Sequence, residues 1–130
     1  MRPSFAVYLC SAIALSGCGT HEPTYEQRTR VLADEQAILD SLYRDMDSLE
    51  RTSTARDQQL TSAIAKLRAA YSATSNEQDK ALWKPEIEKA HNLWESEKAI
   101  ANERIRSFKL RVQEQAEAVR KARELRDAAK

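Results

Sequence analysis

Few residues of this chain combine a reactive type with a telling setting, and the best placed is Cys18. It follows Leu15-Ser16-Gly17 at the end of an eleven-residue, mostly apolar run from Phe5 to Leu15. A thiol is a soft nucleophile, and the two residues before it, Ser16 and Gly17, are small. Other candidates are thinner. Glu88, His91 and Glu95 share a helical face at spacings of three and four, which is metal-compatible, but no second histidine-bearing helix completes a ligand set. Packing or surface exposure is the expected role of His91, and His21 has no rigid neighbours. The carboxylate pairs Asp45/Asp47, Glu86/Glu88 and Glu95/Glu97 diverge on a helix, whereas glycosidase-type chemistry needs two carboxyls held several Å apart across a cleft. There is no glycine-rich phosphate cradle, His-Glu-x-x-His, nucleophile elbow or calcium loop. No catalytic residue, metal or cofactor is expected, and an acid-base hydrolase is the remotest alternative.

The residues before Cys18 account for its setting. Met1 and Arg2 precede the apolar run, and small residues close it, which is the organisation of a secretory signal. The run is far short of the roughly 20 residues that span a bilayer as a helix. Leu15-Ser16-Gly17-Cys18 resembles the lipobox of bacterial lipoproteins, with Leu three before the Cys and Gly immediately before it. The resemblance implies that the Cys18 thiol receives a diacylglycerol, that the chain is cut between Gly17 and Cys18, and that the new amine is acylated, with palmitate-type chains, in many bacteria. Two or three acyl chains hold a protein stably at a membrane where one does not. Gly19 stands where the family's inner-membrane retention signal has Asp, so an outer-membrane location facing the periplasm is implied. An ordinary signal peptide followed by a free cysteine is the alternative. The expected organisation is a signal at 1–17, a lipidated tether at 18–23 and a helical envelope domain at 24–130.

Cys10 leaves with the signal, and the 112 residues after Cys18 contain no cysteine. No disulfide is then available to staple the fold, even in an oxidising envelope. The 113 residues from Cys18 to Lys130 permit one modest domain. Charge is unevenly spread: Cys18 to Glu103 has 11 basic and 16 acidic residues, and Arg104 to Lys130 has nine basic and four acidic. Such asymmetry can orient a molecule near anionic lipid or wall carboxylates, although a solvated helix face is the simpler reading. Nucleic acid is excluded as a partner, because the basic segment lacks interleaved aromatics and the signal exports it.

The remaining sequence is polar and helix-forming. Thr24 with Gln27 forms a capping box for a helix from about Tyr25 to Glu50. Val31, Ile38, Leu42, Met46 and Leu49 recur at spacings of seven, four, four and three, with Leu32, Leu39 and Tyr43 widening the stripe. Arg51-Thr52-Ser53-Thr54 reads as a break, and Thr54 with Asp57 as a second cap. A helix from about Ala55 to Ser72 carries Leu60, Ile64, Leu67 and Tyr71, and Ser72 to Gln78 is the next break. The third segment begins around Asp79, and Pro85 fits best in the first turn of a long helix. Leu82 and Trp83 would pack across its entrance. Beyond them, Ile87, Ala90, Trp94, Ala101, Ile105, Phe108, Val112, Ala116 and Val119 form its stripe.

No glycine follows Gly19 and no proline follows Pro85, so the chain is expected to be all-α: an antiparallel three-helix arrangement with a long, partly projecting C-terminal helix. Its last dozen residues are expected to project or fray, or to pack only on a partner. Glu35, Asp45, Glu97 and Gln115 weigh against a sustained coiled coil. Aromatics at helical spacing are usually core, although Trp83, Trp94, Tyr71 and Phe108 could instead line a groove.

A second resemblance covers about Ile64 to Glu103. Leu67, Arg68 and Tyr71, followed by Ala90, Trp94 and Lys98, are similar to the small helical lysozyme-inhibitor domain of some envelope lipoproteins. That family brackets this core with cysteines, which this chain lacks. The resemblance implies noncatalytic capture of a muramidase or related wall hydrolase, with Tyr71 and Trp94 at the contact and a basic surface of Lys98, Arg104 and Arg106 meeting a carboxylate-lined cleft. A third reading starts from Lys130. Small murein lipoproteins join a C-terminal lysine amine to peptidoglycan, and this chain also begins, after cleavage, at a lipidated Cys and ends in Lys. The leading expectation is broader: a membrane-anchored, noncatalytic helical lipoprotein that binds another envelope component.

Overall fold

In the computed structural model, which describes residues 21–130, the chain is an antiparallel hairpin of two long helices, α1 at Tyr25–Ala73 and α2 at Glu77–Asp127. At 1.5 Å per residue each is about 75 Å long. The all-helical expectation holds, and the three-helix arrangement does not. The capping box is present: the Thr24 hydroxyl accepts from the Gln27 N–H at 3.2 Å, and the Gln27 side chain accepts from the Thr24 N–H at 2.8 Å.

The expected break at Arg51–Thr54 is helical throughout. These residues contain neither Gly nor Pro, and their poorer propensity costs well under about 1 kcal/mol each. Thr52 donates its hydroxyl to the Ser48 carbonyl at 2.8 Å, and Arg51 pairs with Asp47 at 3.1 Å, so the polar side chains turn back onto their own helix. Asp57 consequently lies in the helix interior and is not the partner of a capping Thr54. The turn is short, Thr74 to Asn76, and the Asn76 side chain accepts from the Gln78 N–H at 2.9 Å to start α2.

Pro85 is likewise inside α2, eight residues after Glu77. It forfeits one backbone hydrogen bond, a loss of about 3 kcal/mol in an interior position. Half-buried Trp83 and Ile87 on either side pack into the hairpin and hold the helix through it.

The buried and half-buried positions of both helices recur at alternating steps of three and four, a heptad seam. Gln115 is in that seam, buried, and donates Nε2 to the Glu35 carbonyl at 2.9 Å and to the Glu35 carboxylate. Two residues expected to oppose pairing thus satisfy each other across it. The core gathers toward the open end, where Leu39, Leu42, Val112 and Val119 cluster with Leu32, Met46, Phe108 and Ala116. Leu60 and Ile64 are buried nearer the turn.

The C-terminal segment does not project. Val119 and Ala122 are buried, Arg28 donates Nη1 to the Leu125 carbonyl at 2.5 Å, and Lys130 Nζ lies 5.9 Å from the centre of the Tyr25 ring. Joining the two expected N-terminal helices into one makes α1 long enough to accompany α2 to its end. The pairing also sets the basic end of α2 along Tyr25–Glu50, which holds seven acidic and three basic residues, so the charge asymmetry along the sequence is balanced sideways.

Candidate functional site

The seam changes character at mid-length. On α1 it runs Leu49, Ser53, Asp57, Leu60, and on α2 Trp94, Glu97, Ala101, Ile105. Each helix takes two successive steps of four here, Leu49–Ser53–Asp57 and Glu97–Ala101–Ile105. A local eleven-residue period unwinds a left-handed supercoil. In the antiparallel register these interruptions face one another, so small and polar residues replace the apolar layers found on either side. The result is a waist, bordered by an open groove of about 770 Å³.

Two polar contacts hold the waist. The Trp94 indole N–H donates to Asp57 Oδ1 at 2.7 Å, and Arg56 donates Nε and Nη2 to the two Glu97 carboxylate oxygens at 2.7 and 3.0 Å. The hydrogen bond from Arg56, aided by its charge and opposed by partial desolvation, holds the Glu97 carboxyl below its ordinary range. The reciprocal bond raises Arg56. Lys98 Nζ sits 4.6 Å from the Trp94 ring centre, within cation–π range. The groove therefore offers an aromatic face, a pre-oriented guanidinium–carboxylate pair and the cations of Lys98, Arg104 and Lys109. Such a surface can dock a polar, partly anionic partner. Both carboxylates at this level are engaged, Glu97 by Arg56 and Asp57 by Trp94.

Of the residues singled out in the sequence, the structure brings together Trp94, Lys98 and Arg104 around this groove. Arg106 is turned away and pairs with Glu103 at 3.2 Å. Tyr71 is near the turn, 14 residues from Asp57 and so about 20 Å along α1, where Lys80 lies 5.5 Å from its ring centre. Lys130 is at the opposite, open end. His91 stacks edge-on against Trp94 at 5.4 Å and lies 3.6 Å from Glu95. Among the described residues no three His, Cys, Asp or Glu groups converge on a metal position. Cys18 and the signal expected at 1–17 lie outside the described residues, and no described helix is long and apolar enough to cross a membrane.

Arg56, Asp57 and Glu97 were not singled out for binding in the sequence. Their signal was legible only by carrying the three–four spacing through Ser53 and Asp57 instead of stopping at a break. Leu67, Tyr71, Ala90 and Trp94, which carry the lysozyme-inhibitor resemblance, are all half-buried seam residues, so hairpin packing by itself requires their spacing. No family model matches the chain, and no curated protein or solved structure matches it.

Proposed function

We propose that this chain is a lipid-anchored, noncatalytic helical rod that holds a docking groove away from the membrane and binds another envelope component there. The observation that carries the reading is the waist: a hairpin closed over most of its length by apolar layers gives up burial at this level and sets half-buried Trp94 with exposed Lys98 and Lys109 beside a groove. The start of α1, seven residues after Cys18 in the sequence, and the end of α2 lie at the same end of the rod. Lipidation of Cys18 would attach that end to the membrane, on the outer membrane's periplasmic face in the reading given above. The waist would then stand about 45 Å out, and the turn about 75 Å.

A photo-crosslinking residue at Lys98 in the full chain should yield one discrete adduct with an envelope protein. The same residue at Tyr25 should not, and Lys98→Glu/Lys109→Glu in a chain crosslinked from Thr54 should lose the adduct. Cys18→Ala should move the protein from the membrane to the soluble fraction. Equal crosslinking from all positions would sink the groove assignment. The cations beside Trp94 also favour, as a second reading, inhibition of a lysozyme-type hydrolase with an acidic cleft. Titration against several lysozyme classes tests it: saturable one-to-one inhibition supports it, and undiminished wall hydrolysis removes it. Attachment of Lys130 to peptidoglycan gains no reach from this fold, since Lys130 lies beside Tyr25 at the end that carries the anchor.

A further inference from the structure

A second hollow lies between the waist and the turn. The register set by Trp94 on Asp57 and Arg56 on Glu97 brings Arg68 of α1 level with Lys84 of α2, and both line an open cleft of about 400 Å³, within the range of small-ligand sites. Its floor is apolar and aromatic, formed by half-buried Ile87 with the rings of Tyr71 and His91. Glu88 and Asn92 also line it, following Lys84 by four and eight residues, or about 6 and 12 Å along α2. The hollow exists because α1 is bare beside it: Ala65 and Thr61, three and seven residues before Arg68 on the same face, are short. Arg68, Lys84 and Glu88 make no ion pair among the described residues, although Lys84 and Glu88 stand four apart on one helix. The neighbouring charges already have partners. Lys80, 5.5 Å from the Tyr71 ring centre, pairs with Glu77 at 3.7 Å, and His91 lies 3.6 Å from Glu95.

We propose that this cleft binds the free carboxylate end of a short peptide. Charge complementarity selects that class. Two cations from facing helices, both without a counter-ion, meet at one end of the cleft, and a guanidinium beside an ammonium suits a carboxylate, which Arg68 can grip with two parallel N–H bonds. The rest of the cleft then reads in order away from the turn. Ile87 supports an apolar side chain on the last residue, the Glu88 carboxylate accepts from a backbone N–H, and the Asn92 amide pairs with the peptide group beyond. At about 3.3 Å per extended residue, the 12 Å from Lys84 to Asn92 takes three to four residues. A free phosphate fits less well, because it leaves the apolar floor unused and sets its charge one helical turn from Glu88 with no N–H to offer it. The site is separate from the waist: Arg68 is 11 residues from Asp57, about 16 Å along α1. It depends on neither the waist contacts nor the membrane anchor.

Titration of the isotope-labelled full chain in detergent micelles with acetyl-dialanyl-leucine, followed by amide NMR shifts, tests the site. The expected result is a saturable shift confined to residues around Arg68, Tyr71, Lys84 and Asn92, with millimolar or tighter affinity. The same peptide as its C-terminal amide should bind about tenfold more weakly or worse, since it has lost the charge that the two cations grip. Arg68→Gln/Lys84→Gln should weaken the acid by a similar factor while helical circular dichroism stays intact, because both side chains are exposed. Lys66→Gln, an equal loss of charge two residues from Arg68 but turned to the other edge, should leave the affinity unchanged. No saturable shift up to about 10 mM peptide, equal binding of acid and amide, or loss of binding in Lys66→Gln as large as in the double variant overturns the proposal. Inorganic phosphate moving the same amides at equal or higher affinity also overturns it, reducing the site to a general anion contact.

Discussion

Trp94→Phe removes one donor from the waist and leaves the aromatic body in place. The lost bond is short, 2.7 Å, and its acceptor is a carboxylate. Hydrogen bonds to charged groups contribute about 1.5–3 kcal/mol net. Trp94 and Asp57 are both half-buried beside an open groove, so water can take over part of each partner's bonding and the lower end, about 1.5 kcal/mol, applies. With an unfolding entropy of about 2.1 cal/mol/K per residue over roughly 110 residues, that loss lowers Tm by about 6 °C. Urea unfolding followed by circular dichroism at 222 nm would measure it, with Asp57→Ala and the double variant completing a cycle. The pair should show a coupling energy of about 1 kcal/mol. Coupling below about 0.3 kcal/mol, the level at which unlinked sites already add, would refute the view that this bond closes the waist, and the Tm loss would then belong to packing alone.

Other outcomes follow from the same geometry. Glu97, Glu117 and Asp127 are held below their ordinary values of 4.5, 4.5 and 3.8, first by hydrogen bonds from Arg56, Arg120 and Arg126. A carboxyl depressed in the folded state stabilises above its unfolded value and loses that contribution as pH falls through its folded one. The urea midpoint should therefore be flat from pH 6 to 8 on this account and decline below about pH 4.5, and Glu97→Gln should make that decline shallower; an unchanged acid limb would count against the Arg56 contact. Pro85→Ala restores the missing backbone donor inside α2 and should stabilise the chain by about 1–3 kcal/mol, seen as a higher thermal midpoint; a lower one would mean that Pro85 terminates a segment. Glu35→Leu/Gln115→Leu exchanges a polar seam pair for apolar packing and should raise stability by about 1–2 kcal/mol, with a fall in the urea midpoint refuting it.

Local sequence carried the helices and their first cap, because hydrophobic period and capping chemistry act within a few residues. Thr24 and Gln27 specify their own hydrogen bonds, and the absence of glycine after Gly19 removes the usual hairpin turns of a sheet. Trp94, Lys98 and Arg104, singled out in the sequence, also line one groove. The misplaced boundaries share a cause. Thr52, Ser53 and Pro85 weaken a helix by local criteria, and only packing on a second helix outweighs that cost.

The sequence by itself determined an all-helical chain and the apolar stripes that had to find a partner. Tertiary structure alone decided that there are two helices and not three, that the basic end lies along acidic α1, and that Tyr71, Trp94 and Lys130 occupy three different levels of one rod. It also decided that Asp57 meets Trp94 and Glu35 meets Gln115. Those contacts join residues 37 and 80 positions apart, and their energies depend on the antiparallel register, which no local spacing encodes.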